Sequence, residues 1–290
     1  MKITQLEYFC AVARCHSITQ AANQLYVTQP AISSAIKELE REFSVNLLIR
    51  SKSNITLTKE GEIFYQKATN LLEMVHQTSS EMGDLAKKIA PLKIGIPPLL
   101  STLFFPDLLL VFQEKYPDIP VELYEYASLK AASLVQDGSL DVAMVNMDFY
   151  NIDKLNSYKL LTDQIVFVTA LDHPLAKEQE LTAKQLENEP VILYNTDSVQ
   201  NTTLMNYFKA SSITPKVIMH ASQLFTIHQF VKEKLGGAFL YSSLLKNLPD
   251  LVGIPVVPTI QQEIGFVWSK DKYLNNSVES FVSFTKRYKI

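Results

Sequence analysis

The stretch ITQAANQLYVTQPAISSAIKELEREF, residues 18–43, decides how the N-terminal part of this 290-residue chain folds. Ser17 precedes it as the first residue of an S-x-x-Q capping pattern, which predicts that a helix begins at Ile18. Thr28 is a second N-cap, and Pro30 lies in the helical turn that follows, where its missing N–H costs nothing. The stretch therefore predicts two helices separated by a short turn at residues 26–27.

The second of these helices has an apolar face and a polar face. Its apolar residues recur at helical spacing and can pack on the small side chains of Ala21 and Ala22 in the first helix. Its polar N-terminal turns suit hydrogen bonds to base edges and phosphates in a DNA major groove. A capped hairpin within any α-helical domain is the alternative. The residues predicted to contact DNA are Thr28, Gln29, Pro30, Ala31, Ser33, Ser34 and Lys37.

Two short apolar segments follow, at residues 47–50 and Ile55–Leu57, with a polar turn between them. This pattern predicts two strands that form the wing of a winged helix. Arg50, Lys52 and Ser53 are then placed to meet phosphates or the minor groove, although simple solvation explains the turn lysine equally well.

A regular heptad pattern occupies residues 64–89, where apolar residues alternate at spacings of four and three. A period of 3.5 residues predicts a coiled-coil seam, and hence a dimer in which two recognition helices meet two half-sites. The alternative is an amphipathic helix that packs only on its own domain. The predicted seam consists of Phe64, Ala68, Leu71, Val75, Thr78, Met82, Leu85 and Ile89.

The N-terminal region also carries a dense set of motifs. They are Leu6-Glu7-Tyr8-Phe9, Ser17-Ile18-Thr19-Gln20-Ala21-Ala22, Leu25, Thr28-Gln29-Pro30-Ala31-Ile32-Ser33, Ile36, Leu39-Glu40, Leu47, Arg50, Leu57-Thr58 and Gly61. With these motifs the chain resembles the LysR-type transcriptional regulators. It departs from the family pattern at Ser44, where Gly is usual, and at Leu48-Ile49, which replaces a usual Phe and polar residue.

From Leu92 onwards strands and helices alternate, which predicts an α/β domain with mostly parallel sheets and ligands at the C-terminal ends of strands. We expect a first strand at Leu92–Ile96, a helix over residues 102–116, and short strands over residues 165–170 and 264–268. Landmarks here look like those of the LysR-type effector domain. They are Gly95, Pro106, Phe112, Tyr116-Pro117, Gly138-Ser139-Leu140-Asp141-Val142-Ala143, His173-Pro174-Leu175 and Leu235-Gly236-Gly237-Ala238.

The resemblance implies a multidomain α/β fold in three parts. Residues 1–58 would form a winged helix-turn-helix, residues 59–90 a linker and dimerisation helix, and residues 91–290 an effector domain resembling a periplasmic binding protein. Its lobe I would span about 91–161 and 267–290, and its lobe II about 162–266, with crossovers near 161–164 and 266–268. The implied partners are double-stranded DNA, a small-molecule effector, further copies of the chain as dimer and tetramer, and RNA polymerase if the protein activates transcription.

Polar residues at expected helix starts in the effector domain predict where the effector binds. Free N–H groups and the helix dipole at such places favour an anion, so we expect a small, partly apolar metabolite that carries a carboxylate. Ordinary helix capping and core packing remain alternatives for each residue. The polar candidates are Ser101, Thr102, Ser128, Asn195, Thr196 and Ser198, and the apolar ones are Pro98, Leu99, Leu100, Val145, Met147 and Phe225.

Composition and charge limit the class of protein. Residues 1–60 hold seven basic and five acidic side chains, whereas the remainder holds twenty and twenty-five, so the basic excess accompanies the predicted DNA-binding part. No apolar run approaches membrane-spanning length and the N-terminus lacks a signal-peptide core, so we expect a cytoplasmic protein without membrane contact. The two cysteines, Cys10 and Cys15, exclude a disulfide framework.

Catalytic motifs are missing from the sequence. The five histidines show no zinc-ligand spacing, and there is no G-x-S-x-G, P-loop or Rossmann glycine motif. We therefore expect neither an enzyme, a cofactor nor a metal. Two alternatives remain open: a solute-binding protein with a dimerising N-terminal segment, and an enzyme fused to a DNA-binding domain.

Overall fold

The computed structural model describes residues 1–50, 55–86, 89–148 and 155–288, without the side chains of Arg50 and Ser80. The chain forms two compact units, Met1–Ala86 and Lys87–Ile290. The elements of the first unit are α1 (Ile3–Cys15), α2 (Ile18–Gln24), α3 (Gln29–Phe43), β1 (Leu48–Arg50), β2 (Ile55–Leu57) and α4 (Lys59–Leu85).

The predicted pair of helices is present as α2 and α3. Ser17 caps α2, since its Oγ accepts a hydrogen bond from the N–H of Gln20 at 3.3 Å. Thr28 occupies the N-cap position of α3 but makes no capping hydrogen bond through its side chain. Ser44 ends α3 in the left-handed conformation with φ 55°. The serine thus adopts the conformation for which glycine is usual, at a steric cost of about 1 kcal/mol.

The core of the first unit forms between α1 and the apolar face of α3. Phe9, Ile32, Ile36 and Leu39 are all completely buried. The α4 helix closes this core through Phe64, whose ring lies 5.2 Å from that of Phe9 in an edge-to-face contact. Burial of one face of α3 leaves its polar face turned to solvent.

The wing strands β1 and β2 pair antiparallel, with Leu48 opposite Leu57. The wing joins α4 at Thr58, whose Oγ1 accepts the N–H of Gly61 at 2.8 Å and donates to the carbonyl of Asn46 at 2.6 Å. Thr58 is therefore both the N-cap of α4 and a link to the segment before β1.

The second unit contains nine strands and six α-helices within the described ranges. The strands are β3 (Leu92–Ile96), β4 (Val121–Glu125), β5 (Val142–Asn146), β6 (Leu155–Ala170), β7 (Leu181–Thr182), β8 (Pro190–Leu193), β9 (Lys216–His220), β10 (Gly237–Tyr241) and β11 (Leu251–Ser269). The helices are α5 (Pro98–Ser101), α6 (Phe105–Lys115), α7 (Ser128–Asp137), α8 (Val199–Ala210), α9 (Leu224–Lys232) and α10 (Asn276–Thr285).

The strand order is β4-β3-β5-β11-β6-β10-β8-β9, with β7 paired to β11. The β3–β4, β3–β5, β8–β9, β8–β10 and β7–β11 pairs are parallel. The β6–β11, β6–β10 and β5–β11 pairs are antiparallel. Residues 264–268 of β11 pair with β5, while its earlier residues 251–255 pair with the end of β6. The two long strands therefore connect two α/β lobes.

Each lobe contains a group of packed aromatic rings within one continuous hydrophobic cluster. In the first, α10 packs back on α6 through Phe281, whose ring lies 5.1 Å from that of Phe112 and 5.3 Å from that of Phe266. In the second, Phe239 on β10 lies 5.5 Å from Phe167 and 5.8 Å from Phe208. The C-terminal helix thus returns to the first lobe, as the two-lobed prediction requires.

Four predicted elements have other bounds in the structure. The helix expected over residues 102–116 begins only at Phe105, as α6, and the separate short helix α5 precedes it at Pro98–Ser101. Pro106 lies in the first turn of α6, where its missing N–H costs nothing. The strands expected over 165–170 and 264–268 extend to Leu155–Ala170 and Leu251–Ser269. The α4 helix ends at Leu85, so Ile89, the last residue of the predicted seam, lies outside it.

Gly61 lies in the first turn of α4, where we expect that no larger residue fits without a loss of stability. A Cβ atom at this position would lie 2.1 Å from the carbonyl oxygen of Leu47, so Gly61→Ala must displace backbone. We expect a loss of about 1 to 3 kcal/mol in the free energy of unfolding, measured by denaturant titration. Gly83→Ala on the same helix is the matched control, since a Cβ there meets nothing within 4 Å, and it should stabilise by up to about 1 kcal/mol. Equal stability of the two variants would contradict the close contact.

Candidate functional site

The outward face of α3 is a continuous polar surface at the N-terminal end of the helix. Of the seven residues near the start of α3 that are predicted to contact DNA, six are exposed, and Ser33 is half-buried beside them. The six exposed residues are Thr28, Gln29, Pro30, Ala31, Ser34 and Lys37. The structure thus brings the predicted α3 residues together on one accessible surface.

Two side chains that sequence analysis did not single out position the wing. The ring Nδ1 of His16 lies 3.1 Å from the carbonyl oxygen of Ile55, and the N–H of Ile55 donates to the His16 carbonyl at 3.1 Å. The Oε1 atom of Glu40 on α3 accepts the N–H groups of Leu47 and Leu48 at 2.8 and 3.3 Å. Both ends of the wing are therefore tied to the helices.

The expected DNA contacts of the wing fall on residues that the structure does not describe. Lys52 and Ser53 lie outside the described ranges, and only the backbone of Arg50 is described, in β1.

Tyr26 is a further candidate that sequence analysis treated only as a turn residue. It lies between α2 and α3 in the left-handed conformation, with φ 54°, and its side chain is 96% exposed. An aromatic side chain so fully exposed beside Gln29 can stack or donate its hydroxyl to a phosphate. The sequence signal that could have identified Tyr26 is an aromatic residue within the two-residue turn between the helices.

The predicted seam on α4 is divided between two roles. Phe64 and Ala68 belong to the core of the first unit, where Ala68 is only 1% exposed and Phe64 packs against Phe9 and Phe43. Their assignment to a free dimer seam was wrong, because α1 and α3 already cover them. The remaining apolar members of the helical seam form an exposed stripe. They are Leu71, Val75, Met82 and Leu85.

An open apolar groove of about 430 Å³ lies beside this stripe. One wall of the groove is the N-terminal end of α1, and the other wall is α4, where Leu71 and Val75 line it. The neighbouring Met74 is 63% exposed and Ile3 is 49% exposed. Large aliphatic side chains on both walls favour contact with another apolar surface.

Ser101 and Thr102 do not stand at a helix start. Ser101 is the last residue of α5 and Thr102 is its C-cap, so neither offers the free N–H groups that the anion prediction required. Their hydroxyls donate to the carbonyls of Pro98 and Leu99 at 2.6 and 2.9 Å. The Ser101 hydroxyl also lies 3.2 Å from a carboxylate oxygen of Glu125. This environment disfavours an anion.

The other polar candidates do lie near helix starts, yet much of their hydrogen bonding is internal. Ser128, the first residue of α7, is buried and accepts the N–H of Asn146 at 3.2 Å. Ser198 caps α8 by accepting the N–H of Asn201 at 3.1 Å. Asn195 and Thr196 are exposed, and the Asn195 side-chain amide donates to Ser222 at 3.1 Å.

Most of the apolar candidates are core residues. Leu99, Leu100 and Val145 are at most 3% exposed and belong to the two hydrophobic clusters of the second unit. Pro98 is half-buried at the start of α5, and Met147 is half-buried against the cluster around Val145. Phe225 is 75% exposed on α9. The core-packing alternative therefore holds for the three leucine and valine residues.

A buried polar network joins the lobes where β5, β10 and β11 meet α8. The Tyr241 hydroxyl is its centre: it donates to Gln262 at 2.9 Å, accepts the Gln200 amide at 2.9 Å and lies 3.4 Å from the Asn146 amide nitrogen. The Gln262 amide donates in turn to Thr203 at 3.0 Å. Burial raises the pKa of Tyr241 far above its ordinary value, so the hydroxyl keeps its proton.

No helix in the described ranges is both long and apolar enough to cross a bilayer. Nor does that part of the chain group three or more His, Cys, Asp or Glu side chains where they could hold a metal ion.

Comparison with known proteins assigns the chain to a family. A family model described as bacterial regulatory helix-turn-helix protein, lysR family, matches residues 3–62, and one described as LysR substrate binding domain matches residues 88–289. The uncharacterized HTH-type transcriptional regulator YwbI of Bacillus subtilis (strain 168) is 34% identical over 292 residues, covering 99% of this chain and 97% of YwbI.

Solved structures agree with this assignment at the level of fold. A full-length OxyR variant from Pseudomonas aeruginosa is 22% identical with a TM-score of 0.68, covering 99% of this chain and 95% of that one. Full-length CbnR complexed with its target DNA is 20% identical with a TM-score of 0.62, covering 99% of both chains. The resemblance inferred from the motifs is confirmed, and the chain belongs to the LysR family of bacterial helix-turn-helix transcriptional regulators.

Proposed function

We propose that this LysR-family regulator binds an inverted-repeat operator as a dimer through the exposed face of α3. The observation that carries the proposal is the separation of the two faces of α3. Ile32, Ile36 and Leu39 are completely buried, whereas Gln29 and Lys37 are exposed. A helix anchored in this way can enter a major groove with its N-terminal turns towards the bases.

Within this face we assign different tasks to different residues. Gln29 offers an amide that can bond an adenine edge bidentately, and Ser33 and Ser34 can donate to base edges or phosphates. Lys37 lies two turns further on and suits a phosphate, because its ammonium is a point charge. Arg50, Lys52 and Ser53 are proposed backbone contacts of the wing, and Tyr26 is added as a contact from the turn.

The exposed stripe on α4 supports dimerisation. Leu71 and Val75 are 42% and 37% exposed, and Met82 and Leu85 are 58% and 76% exposed. A second α4 packed on this stripe removes that surface from water. Twofold symmetry then places two α3 helices on half-sites separated by about 34 Å or a multiple of that distance.

We assign residues 1–58 to the DNA-binding domain, 59–90 to the linker and 91–290 to the effector domain. The β6 and β11 strands are the two connections between the lobes, so an effector that closes the lobes acts on both strands. Ligand binding would shift the population between open and closed arrangements and alter the spacing of the DNA-binding heads. The protein acts in the cytoplasm by binding DNA and an effector, without catalysing a reaction.

Two finer assignments complete the proposal. Dimers associate into tetramers, whose rearrangement changes the bend of the bound DNA, and an activating complex touches RNA polymerase. The prediction that the effector carries a carboxylate loses its main support. Ser101 and Thr102 lie at the end of a helix, and the Ser101 hydroxyl lies near the carboxylate of Glu125.

Gln29→Ala should weaken specific binding without weakening non-specific binding. We expect a loss of about 1 to 3 kcal/mol on the operator and little change on random duplex, because only base-edge bonds are removed. Lys37→Ala is the contrasting variant and should weaken both duplexes and lower the salt slope by about one. Fluorescence anisotropy at several salt concentrations measures both. Equal weakening of both duplexes by Gln29→Ala would exclude it from base contact.

Val75→Asp should dissociate the dimer, because two carboxylates would face each other in an apolar seam. Sedimentation velocity should show a folded monomer at concentrations where the wild type is dimeric. Asn70→Asp is the matched control, since it adds the same charge at an exposed position on another face of α4. A dimeric Val75→Asp variant would remove the α4 stripe from the interface.

A further inference from the structure

The buried polar network around Tyr241 connects segments that belong to different lobes. Its members are almost inaccessible to water: Asn146 and Tyr241 are 0% exposed, Gln262 is 1% exposed and Gln200 is 5% exposed. Asn146 ends β5 in the first lobe, Gln200 lies in the first turn of α8 in the second lobe, and Gln262 lies on the shared strand β11. The Tyr241 hydroxyl is bonded to all three, so it lies where the two lobes meet.

Every hydrogen-bonding position of the Tyr241 hydroxyl is used. It donates its proton to Gln262 at 2.9 Å, accepts the Gln200 amide at 2.9 Å and accepts the Asn146 amide at 3.4 Å. A hydroxyl has one proton and two acceptor lone pairs, so no capacity is left for a ligand. This group therefore holds the surrounding segments in place and does not bind an effector itself.

The network continues to the start of a helix in each lobe. In the first lobe, the backbone N–H of Asn146 donates to the hydroxyl of Ser128, the first residue of α7, at 3.2 Å. In the second lobe, the Gln262 amide donates to Thr203 at 3.0 Å, and the Thr203 hydroxyl donates to the carbonyl of the first residue of α8 at 3.0 Å. Hydrogen-bonded residues thus connect the start of α7, through Tyr241, to the start of α8.

The apolar packing of these two helices is separate. The α7 helix packs through Ala131 and Val135 on a small hydrophobic cluster of the first lobe. The α8 helix packs through Leu204 and Phe208 on the large hydrophobic cluster of the domain. Because the helices bury their apolar faces in different clusters, the hydrogen bonds of Tyr241 give their N-terminal turns a buried connection that this packing does not supply.

We propose that the Tyr241 hydroxyl is a lock that couples the start of α7 to the start of α8 across the crossing of the lobes. Buried hydrogen bonds in a network polarise one another and are costly to leave unmade. A ligand that moves one helix start, by bonding Ser128 or Ser198, then alters the bonds of Tyr241 and displaces the other helix start.

Tyr241 is a positioning residue in this mechanism, since it acts through the residues that it holds. The inference rests on the proposed effector-binding role of the domain. It names the group through which an effector bound against one lobe changes the other lobe.

Tyr241→Phe removes the hydroxyl and keeps the ring. We expect amide hydrogen exchange to become roughly tenfold faster in both α7 and α8, because the amides of Asn146 and Gln200 lose their shared acceptor. Hydrogen exchange of the full chain at neutral pH, followed by mass spectrometry of its peptides, measures both helices in one experiment. Faster exchange confined to the second lobe, or an equal increase over the whole domain, overturns the inference.

Tyr207→Phe is the matched control, since it removes another buried tyrosine hydroxyl, also on α8. This hydroxyl lies 3.2 Å from the carbonyl oxygen of Val257 and 3.5 Å from that of Leu181, both in the second lobe. We expect faster exchange in the second lobe and unchanged exchange in α7. A response of α7 as large as in Tyr241→Phe would show that any lost hydroxyl has this effect, and would overturn the lock.

Gln200→Met tests the same coupling from the second lobe while Tyr241 stays in place. Methionine has a similar length and lacks the amide that donates to Tyr241. We expect faster exchange in α7, across the crossing, by a smaller factor than in Tyr241→Phe. Unchanged exchange of α7 overturns the inference, even where Tyr241→Phe fails to fold.

Operator binding by the same proteins separates this inference from the proposed function. If the wild type protects an operator while Tyr241→Phe leaves α7 unchanged, the regulator proposal stands and the lock falls. If the wild type protects no operator but exchange rises in both helices of Tyr241→Phe, the lock stands and the regulator proposal falls.

Discussion

The burial of one face of α3 against α1 is the interaction on which the DNA-binding unit depends. Phe9 supplies the surface that Ile32 and Ile36 cover, and Phe64 of α4 closes the same core. Because one cluster joins all these helices, the exposed face of α3, the wing and α4 have a fixed mutual geometry. The hydrogen bonds of Glu40 to the wing backbone extend that geometry to β1. A displacement at α4 is therefore transmitted to α3 through packed side chains.

The effector domain has a different mechanical design. Its lobes share β6 and β11, and the side chains at the crossing are amides, hydroxyls and one carboxylate, which depend on partners for their stability. Polar groups of this kind make a crossing whose energy changes when a ligand adds a hydrogen bond. The first unit is thus organised by an apolar core, and the second unit adds a polar network at the crossing of its lobes.

The sequence predicted features that depend on neighbouring residues better than features that depend on contacts between distant segments. The α2 and α3 helices followed from Ser17, Thr28 and helical spacing, since the signals and their effects lie within a few residues. The heptad pattern did not show that Phe64 and Ala68 face α1, because an intramolecular and an intermolecular apolar contact leave the same pattern. Likewise, the polar network around Tyr241 joins side chains from distant segments, so no single stretch of sequence predicted it.

A footprint of the purified protein on the DNA that flanks its own gene tests the central claim most directly. Two copies of α3 related by a twofold axis should protect an inverted repeat, with the two protected half-sites on one face of the duplex. Protection should weaken with rising salt, because phosphate contacts release counterions. A folded dimer that protects no such repeat at low salt, or that protects a single half-site, would contradict the account.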